Sequence, residues 1–130
     1  MIREAERKDV QEVLDLLLQV IKKNKWEEQS GMKPDRHTLS ALLNYHMRHK
    51  DARVFIYEDD EDGAIKGVLA GGLMPFLIDI RRHAAHEKMG GGEKIEKLQE
   101  MFDMWAAEEN AAVVVRGCYD EPGGSRFRRV

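Results

Sequence analysis

Cysteine occurs once in these 130 residues, at Cys118, so neither a disulfide framework nor a Cys-rich zinc site can be built from this chain. A reducing compartment, the cytoplasm, is the expected location. Proline is equally scarce, with three scattered residues, and aromatic residues make up only 7%. No apolar run approaches the roughly 18–20 residues of a membrane span, and the amphipathic N-terminus does not read as a signal peptide. Nor is there an excess of one charge: 21 Lys and Arg face 24 Asp and Glu, a formal net charge of −3. That balance argues against a nucleic-acid binder, which normally carries a strongly basic face. What remains is 42% hydrophobic and 35% charged, and this suits a single domain, residues 1–130, with one sizeable core.

The apolar pattern changes period along the chain. Ile2 to Ala5 alternates like a short strand. Asp9, with Glu12 three residues on, has the spacing of a capping box, and Val10, Val13, Leu14, Leu17, Val20 and Ile21 predict an amphipathic helix over 9–23. Gly31 and Pro34 mark a loop that Trp26 could anchor. Leu39, Leu42, Leu43 and Met47 predict a second helix over 36–49. Arg53 to Glu58 and Ile65 to Leu69 form a hairpin around the acidic run Glu58–Asp62, which reads as a solvated turn. Beyond it two readings stand open: Gly71-Gly72 turns the chain and Leu73–Ile80 returns, or one strand continues through Gly72 and turns near Pro75.

Residues 81–92 are polar and end in Gly90-Gly91-Gly92. Ile95, Leu98, Phe102, Trp105 and Ala106 then mark a helix from 93 to about 109, in which Met101, Met104 and Trp105 read as core or its rim. Ala111–Val115 has the composition of a strand buried on both faces. Ser125 could cap a short final helix. The order β, α, α, β, β, β, α, β predicts an α+β (α/β layered) fold, a mixed and mostly antiparallel sheet flanked by helices.

The glycine-rich stretch Lys88–Glu93 stands out. Placed as a turn before a helix, it lets backbone N–H groups and the helix dipole converge on an anion such as a pyrophosphate. It matches neither the P-loop nor the dinucleotide G-x-G-x-x-G spacing. The i, i+3 pairs His46/His49 and His83/His86 lack further ligands at metal-site spacing, so no metal is expected.

Ile2-Arg3-Glu4-Ala5 with Asp9, the hairpin Val54–Glu58 with Asp62-Gly63 and Ile65-Lys66-Gly67, and the stretch Leu98–Ala112 with Phe102, Trp105 and Ala106 together resemble the GNAT superfamily of acyl-CoA-dependent N-acetyltransferases, most closely its short phage-type and bacterial members. The resemblance implies a GNAT-like fold in which the fourth strand, here at Ile78 and Ile80, pairs its backbone with the pantetheine of acetyl-CoA. It implies a pyrophosphate at Lys88, Gly90, Gly91, Gly92 and Lys94. In register with Phe102 and Trp105, however, the leading Arg of the family's loop falls at Gly90 and its later glycines at Glu93 and Ile95. For deprotonating an acceptor amine the resemblance points to Asp79, with Glu87 and His86 as alternatives. The family's tyrosine acid falls at Phe127, which leaves Tyr119 as the substitute. The acceptor would be an amine of a small molecule or protein; the competing expectation is a catalytically degenerate GNAT-fold binding or assembly protein. The family's terminal β-hairpin is missing here, so the 111–115 edge is expected to be covered by a homodimer partner or another protein.

Overall fold

The computed structural model describes residues 1–23, 25, 28, 31, 33–76, 78–117 and 128–129; the side chains at 76, 79, 80, 128 and 129 lie outside this set. Trp26, Cys118, Tyr119, Ser125 and Phe127 are outside the described residues. Strand β1 (Ile2–Glu4) leads through a 3-10 turn (Arg7–Asp9) into α1 (Val10–Lys23). Helix α2 (Arg36–Arg48) precedes β2 (Ala52–Glu58), β3 (Ile65–Phe76) and β4 (Asp79–Gly92), and α3 (Ile95–Glu108) crosses over to β5 (Val113–Arg116) and β6 (Arg128–Arg129). The sheet runs β1-β2-β3-β4-β5-β6; β4 and β5 pair parallel and the other neighbours antiparallel. This is the expected mixed, mostly antiparallel sheet with helices on both faces.

Alternating residues along the strands feed two cores. Val54, Ile56, Val68, Ala70 and Met89 pack with Val13, Leu14 and Leu17 of α1 and Leu43 of α2. On the opposite face Phe55, Leu69 and Ala85 meet Leu98, Phe102 and Trp105 of α3. Phe102 is fully buried, worth roughly 1.5–3 kcal/mol relative to an exposed side chain.

The entry to α1 differs from the capping box read at Asp9/Glu12. Asp9 instead accepts from the Glu6 N–H at 2.7 Å, three residues earlier. Its oxygens also accept from Arg3 Nη1 at 2.8 Å and Nη2 at 3.0 Å, and Arg3 bonds Glu58 as well. Glu12 reaches across to accept from the Ile65 N–H at 2.7 Å, tying α1 to the start of β3. Helix α2 begins as its spacing predicts, with Asp35 accepting from the His37 N–H and the Thr38 hydroxyl. In the acidic turn Asp59 and Asp62 both pair with Lys66, and among the described residues no group of metal-ligating side chains forms.

Of the two readings left open beyond Leu69, the structure takes the second. Strand β3 runs unbroken through Gly71 and Gly72, because both are needed in the ladder: a Cβ on Gly71 would lie 2.6 Å from the Phe102 ring, and one on Gly72 3.0 Å from the Asp51 carbonyl oxygen. The polar 81–92 segment is likewise strand. Its first residues, Arg81 to His83, are exposed at the end of the β3–β4 hairpin.

Two expectations about the end of the chain need correction. Residues 128–129 form strand rather than the helix read from Ser125, pairing Val115 with Arg129 and Arg116 with Arg128. The chain therefore covers that part of the β5 edge itself. β5 is also half-buried along its length rather than buried on both faces. Among the described residues, no helix is long and apolar enough to cross a membrane.

Candidate functional site

Strand β4 is paired with β5 only from Ala84 to His86, opposite Val113 to Val115. Immediately beyond, its pairing with β3 slips: Gly71 faces Glu87 and Ala70 faces Met89, which leaves Lys88 as an extra residue in a β-bulge. A bulge bends its strand and increases the local twist. From Glu87 onward, the β4 edge that faced β5 has no strand partner among the described residues. The two strands thus part in a V, and β4 continues to the start of α3.

Glu87 sits at the apex. Its side chain is fully buried, and its carboxylate accepts from the Gly117 N–H at 2.9 Å, Arg116 Nη1 at 2.7 Å and Gln99 Nε2 at 3.2 Å. Arg116 also pairs with Asp103 of α3. Within the V, Glu87 takes up the N–H that would have extended the β4–β5 ladder. Burying a carboxylate without partners is costly, and these donors account for its position. Such a carboxylate braces the fork; both its oxygens are committed to these donors rather than open to an amine, as the role of base read for it from sequence would require.

The glycine triplet does not form the loop expected of it. Gly90 and Gly91 pair with Leu69 and Val68, and Gly92 closes the strand opposite Gly67. Packing explains them. A Cβ at Gly91 would come within 2.6 Å of Val20 on α1, and one at Gly92, where φ is +88°, within 2.2 Å of the Lys66 carbonyl oxygen. The connection to α3 is only Glu93 and Lys94; Lys94 takes a left-handed φ of 61° and offers no side-chain cap. The first-turn N–H groups of α3 therefore receive no side-chain cap from Lys94, and Glu96 lies among them. Lys94 places its ammonium over the Tyr57 ring, 5.9 Å from the centroid.

The remaining residues expected at the site are spread along β4. Ile78 is 77% exposed in the turn before the strand, and Asp79 and Ile80 open it. Over fourteen residues that end lies roughly 40 Å from Gly92, so Ile78, Asp79 and Ile80 are not gathered with Gly90–Gly92 and Lys94. The hairpin turns between Phe76 and Asp79, which puts the fork at Glu87 rather than at the strand's beginning. Lys88 projects away from α3, into a groove lined by Tyr45 and His46 of α2, His49 just past it and Met74 of β3. Tyr119 lies outside the described residues.

His86, the other alternative read from sequence, stands at the end of the β4–β5 pairing. It is the last β4 residue paired with β5, opposite Gly72 and two residues before the bulge at Lys88, and it is half-buried. Burial, and then the Lys88 charge, push its imidazole below the ordinary histidine value, which favours the neutral base. Sequence reasoning missed His46 as a site residue. It is 4% exposed, its Nδ1 lies 2.9 Å from the Leu42 carbonyl oxygen, and burial lowers its pKa. A carbonyl can only accept, so Nδ1 carries the proton and Nε2 is left as the acceptor. Its i, i−4 spacing from Leu42 was legible; its burial was not.

No family model and no curated protein matches this sequence. Solved structures do. A mutant of the BH1408 protein from Bacillus halodurans superposes with a TM-score of 0.72 at 20% identity, over 92% of this chain and 83% of that one. An acetyltransferase from Vibrio fischeri gives 0.66 at 14% identity, over 88% of this chain and 92% of the other. A predicted acetyltransferase from Clostridium acetobutylicum, solved with acetyl-CoA, gives 0.62 at 16% identity, over 88% and 77%. The mixed sheet, the helices on its two faces and the fork between β4 and β5 are the GNAT acyl-CoA N-acyltransferase fold.

Proposed function

We propose that the chain is an N-acetyltransferase that takes acetyl-CoA into the V between β4 and β5 and acylates an amine. The observation that carries this reading is the bulge at Lys88, beyond which β4 presents a strand edge without a partner among the described residues, leading to the start of α3. Free strand N–H and C=O groups suit the amide-bearing pantetheine arm. The uncapped first turn of α3 and Lys94 suit its pyrophosphate, against the opposing charges of Glu93 and Glu96. Acetyl-CoA supplies an acyl group activated as a thioester.

The protein's own part is to hold, orient and move a proton. An amine reaching the fork loses its proton to the neutral His86 imidazole. The nitrogen forms its bond to the acyl carbon as the carbon–sulfur bond breaks, and the departing thiolate takes up the second proton that the nitrogen sheds on becoming an amide. Glu87, through Arg116 and the Gly117 N–H, keeps the fork open and its geometry fixed.

Calorimetry with acetyl-CoA, followed by thiol release with a panel of amines, tests the reading. Saturable binding and amine-dependent thiol release are expected, with His86→Gln lowering kcat more than affinity for acetyl-CoA. The acid at the start of α3 favours a second reading, a GNAT-fold binding module without catalysis. Absence of any heat at millimolar acetyl-CoA would decide for that module.

A further inference from the structure

Between α2 and the β3–β4 ladder lies a groove of about 340 Å³. Its walls are Leu42, Tyr45 and His46 on α2, His49 just past its end, and Leu73 and Met74 on β3, with Lys88 and Asp51 as its charged members. Leu42, Tyr45 and Met74 each expose two-fifths or more of their surface there.

Lys88 is the notable occupant. It is the bulged residue of the fork, and among the described residues its ammonium contacts only the Met74 sulfur, at 2.9 Å. A thioether is a weak acceptor, and among the described residues no carboxylate lies within ion-pairing distance of Lys88. The imidazoles near it supply no counter-charge. His46 holds its Nδ1 proton against the Leu42 carbonyl, and His49 Nδ1 accepts from the Asp51 N–H at 3.1 Å, which leaves Nε2–H as a donor in the neutral ring. Burial pushes the Lys88 ammonium below the ordinary lysine value, as expected of a partly desolvated cation lacking an anion. Asp51, at the α2–β2 end of the groove, also forms no ion pair among the described residues.

We propose that this groove is the acceptor pocket and that its substrate is a primary amine that also carries a carboxylate, with an apolar or aromatic portion. The carboxylate pairs with Lys88 and the apolar portion lies along Tyr45, Leu42 and Met74, which leaves the amine on the side of the fork. Because Lys88 is the bulge itself, a substrate anchored there stands on the α2 side of β4 at the point where the strand leaves β5. The inference rests on the acetyltransferase reading for the word acceptor, but not for the binding.

Calorimetry without acetyl-CoA therefore tests it, with 3-phenylpropionate and phenethylamine as probes. The carboxylate is expected to bind more tightly than the amine. Lys88→Met should weaken 3-phenylpropionate about tenfold, the scale of one lost charge-assisted hydrogen bond, and Lys88→Arg should restore most of it. Tyr45→Ala, on an exposed helix face, should weaken 3-phenylpropionate while leaving butyrate unchanged. Equal binding of the two probes, or Lys88→Met binding 3-phenylpropionate as well as the wild type, overturns the proposal. Carboxylate binding without acetyl transfer to L-phenylalanine or any other amine would leave the pocket standing and remove the acetyltransferase reading instead.

Discussion

Glu87 and Arg116 meet at 2.7 Å at the point where two parallel strands stop pairing. The contact joins the apex of the fork to the end of β5 and, through Asp103, to α3. Replacing Glu87 with Ala leaves the Arg116 guanidinium with one carboxylate and the Gly117 N–H with none. A loss of about 3 kcal/mol is expected in urea denaturation. The double variant Glu87→Ala/Arg116→Ala should lose less than the sum of the two single losses; strict additivity would show that the pair is not coupled.

Gly91 makes room for Val20. Gly91→Ala places a methyl group against the Val20 side chain, and the expected cost is about 1–3 kcal/mol from overpacking. Val20→Ala in the same chain should recover part of that loss. If Gly91→Ala is neutral in thermal denaturation and Val20→Ala brings no recovery, the strand does not press on α1 as described. For the same reason a bulky charged residue at Gly91 would test folding before it tested ligand binding.

Asp9 should contribute to stability on the acid side. The hydrogen bond from Arg3, aided by the Glu6 N–H, holds its carboxyl below the ordinary aspartate value. With a depressed folded-state pKa, the stabilisation is complete above the unfolded value near ~3.9 and is lost as pH falls through the folded one. Asp9→Asn should therefore lower stability at neutral pH and flatten the acid limb of the stability profile, measured by urea midpoints between pH 2 and 7.

His46 should act in a different window. Burial lowers its pKa, so the folded protein prefers the neutral ring. The unfolded chain binds its proton first, near ~6.5. Stability from this group is present above that value and declines as pH falls toward the folded pKa. An imidazole titration by NMR with a midpoint at or above that of an unstructured histidine would contradict the buried placement. The groups facing it from neighbouring elements, Lys88 on β4 and His49 just past the end of its own helix, push in the same direction.

Much of the fold was legible because amphipathic spacing survives burial. Val13, Leu14 and Leu17 place α1, Leu98, Phe102 and Trp105 place α3, and the alternation around Val54 to Ile56 places β2. The glycines misled, and for a physical reason: in sequence, Gly90-Gly91-Gly92 signals backbone freedom, whereas here it marks places where Val20 and the Lys66 carbonyl come too close for a Cβ. Gly71 and Gly72 left two readings open for the same reason, and the continuous strand is the one that forms. The end of the β4–β5 ladder at His86 was not legible, because nothing in the residues from Asp79 onward reveals where that pairing stops. His86, read from sequence as an alternative base, stands two residues before the bulge, a placement that the sequence alone does not reveal. His46 required knowledge of what covers α2.

The extra residue at Lys88 also resets the strand's phase. Before it, Ala85 and Glu87 point toward α3; after it, Met89 and Gly91, odd-numbered like them, point toward α1. A regular strand never exchanges faces in this way, because its side chains repeat every two residues. Removing Lys88 would therefore do more than delete a cation. It would leave Glu87 and Met89 as ordinary neighbours, alternating onto the opposite faces they already occupy across from Gly71 and Ala70, and it would remove the bend that carries β4 away from β5. The opening in the sheet is thus encoded as a count of residues, and a chain shorter by one at this point would lose the cleft even if every other side chain were kept.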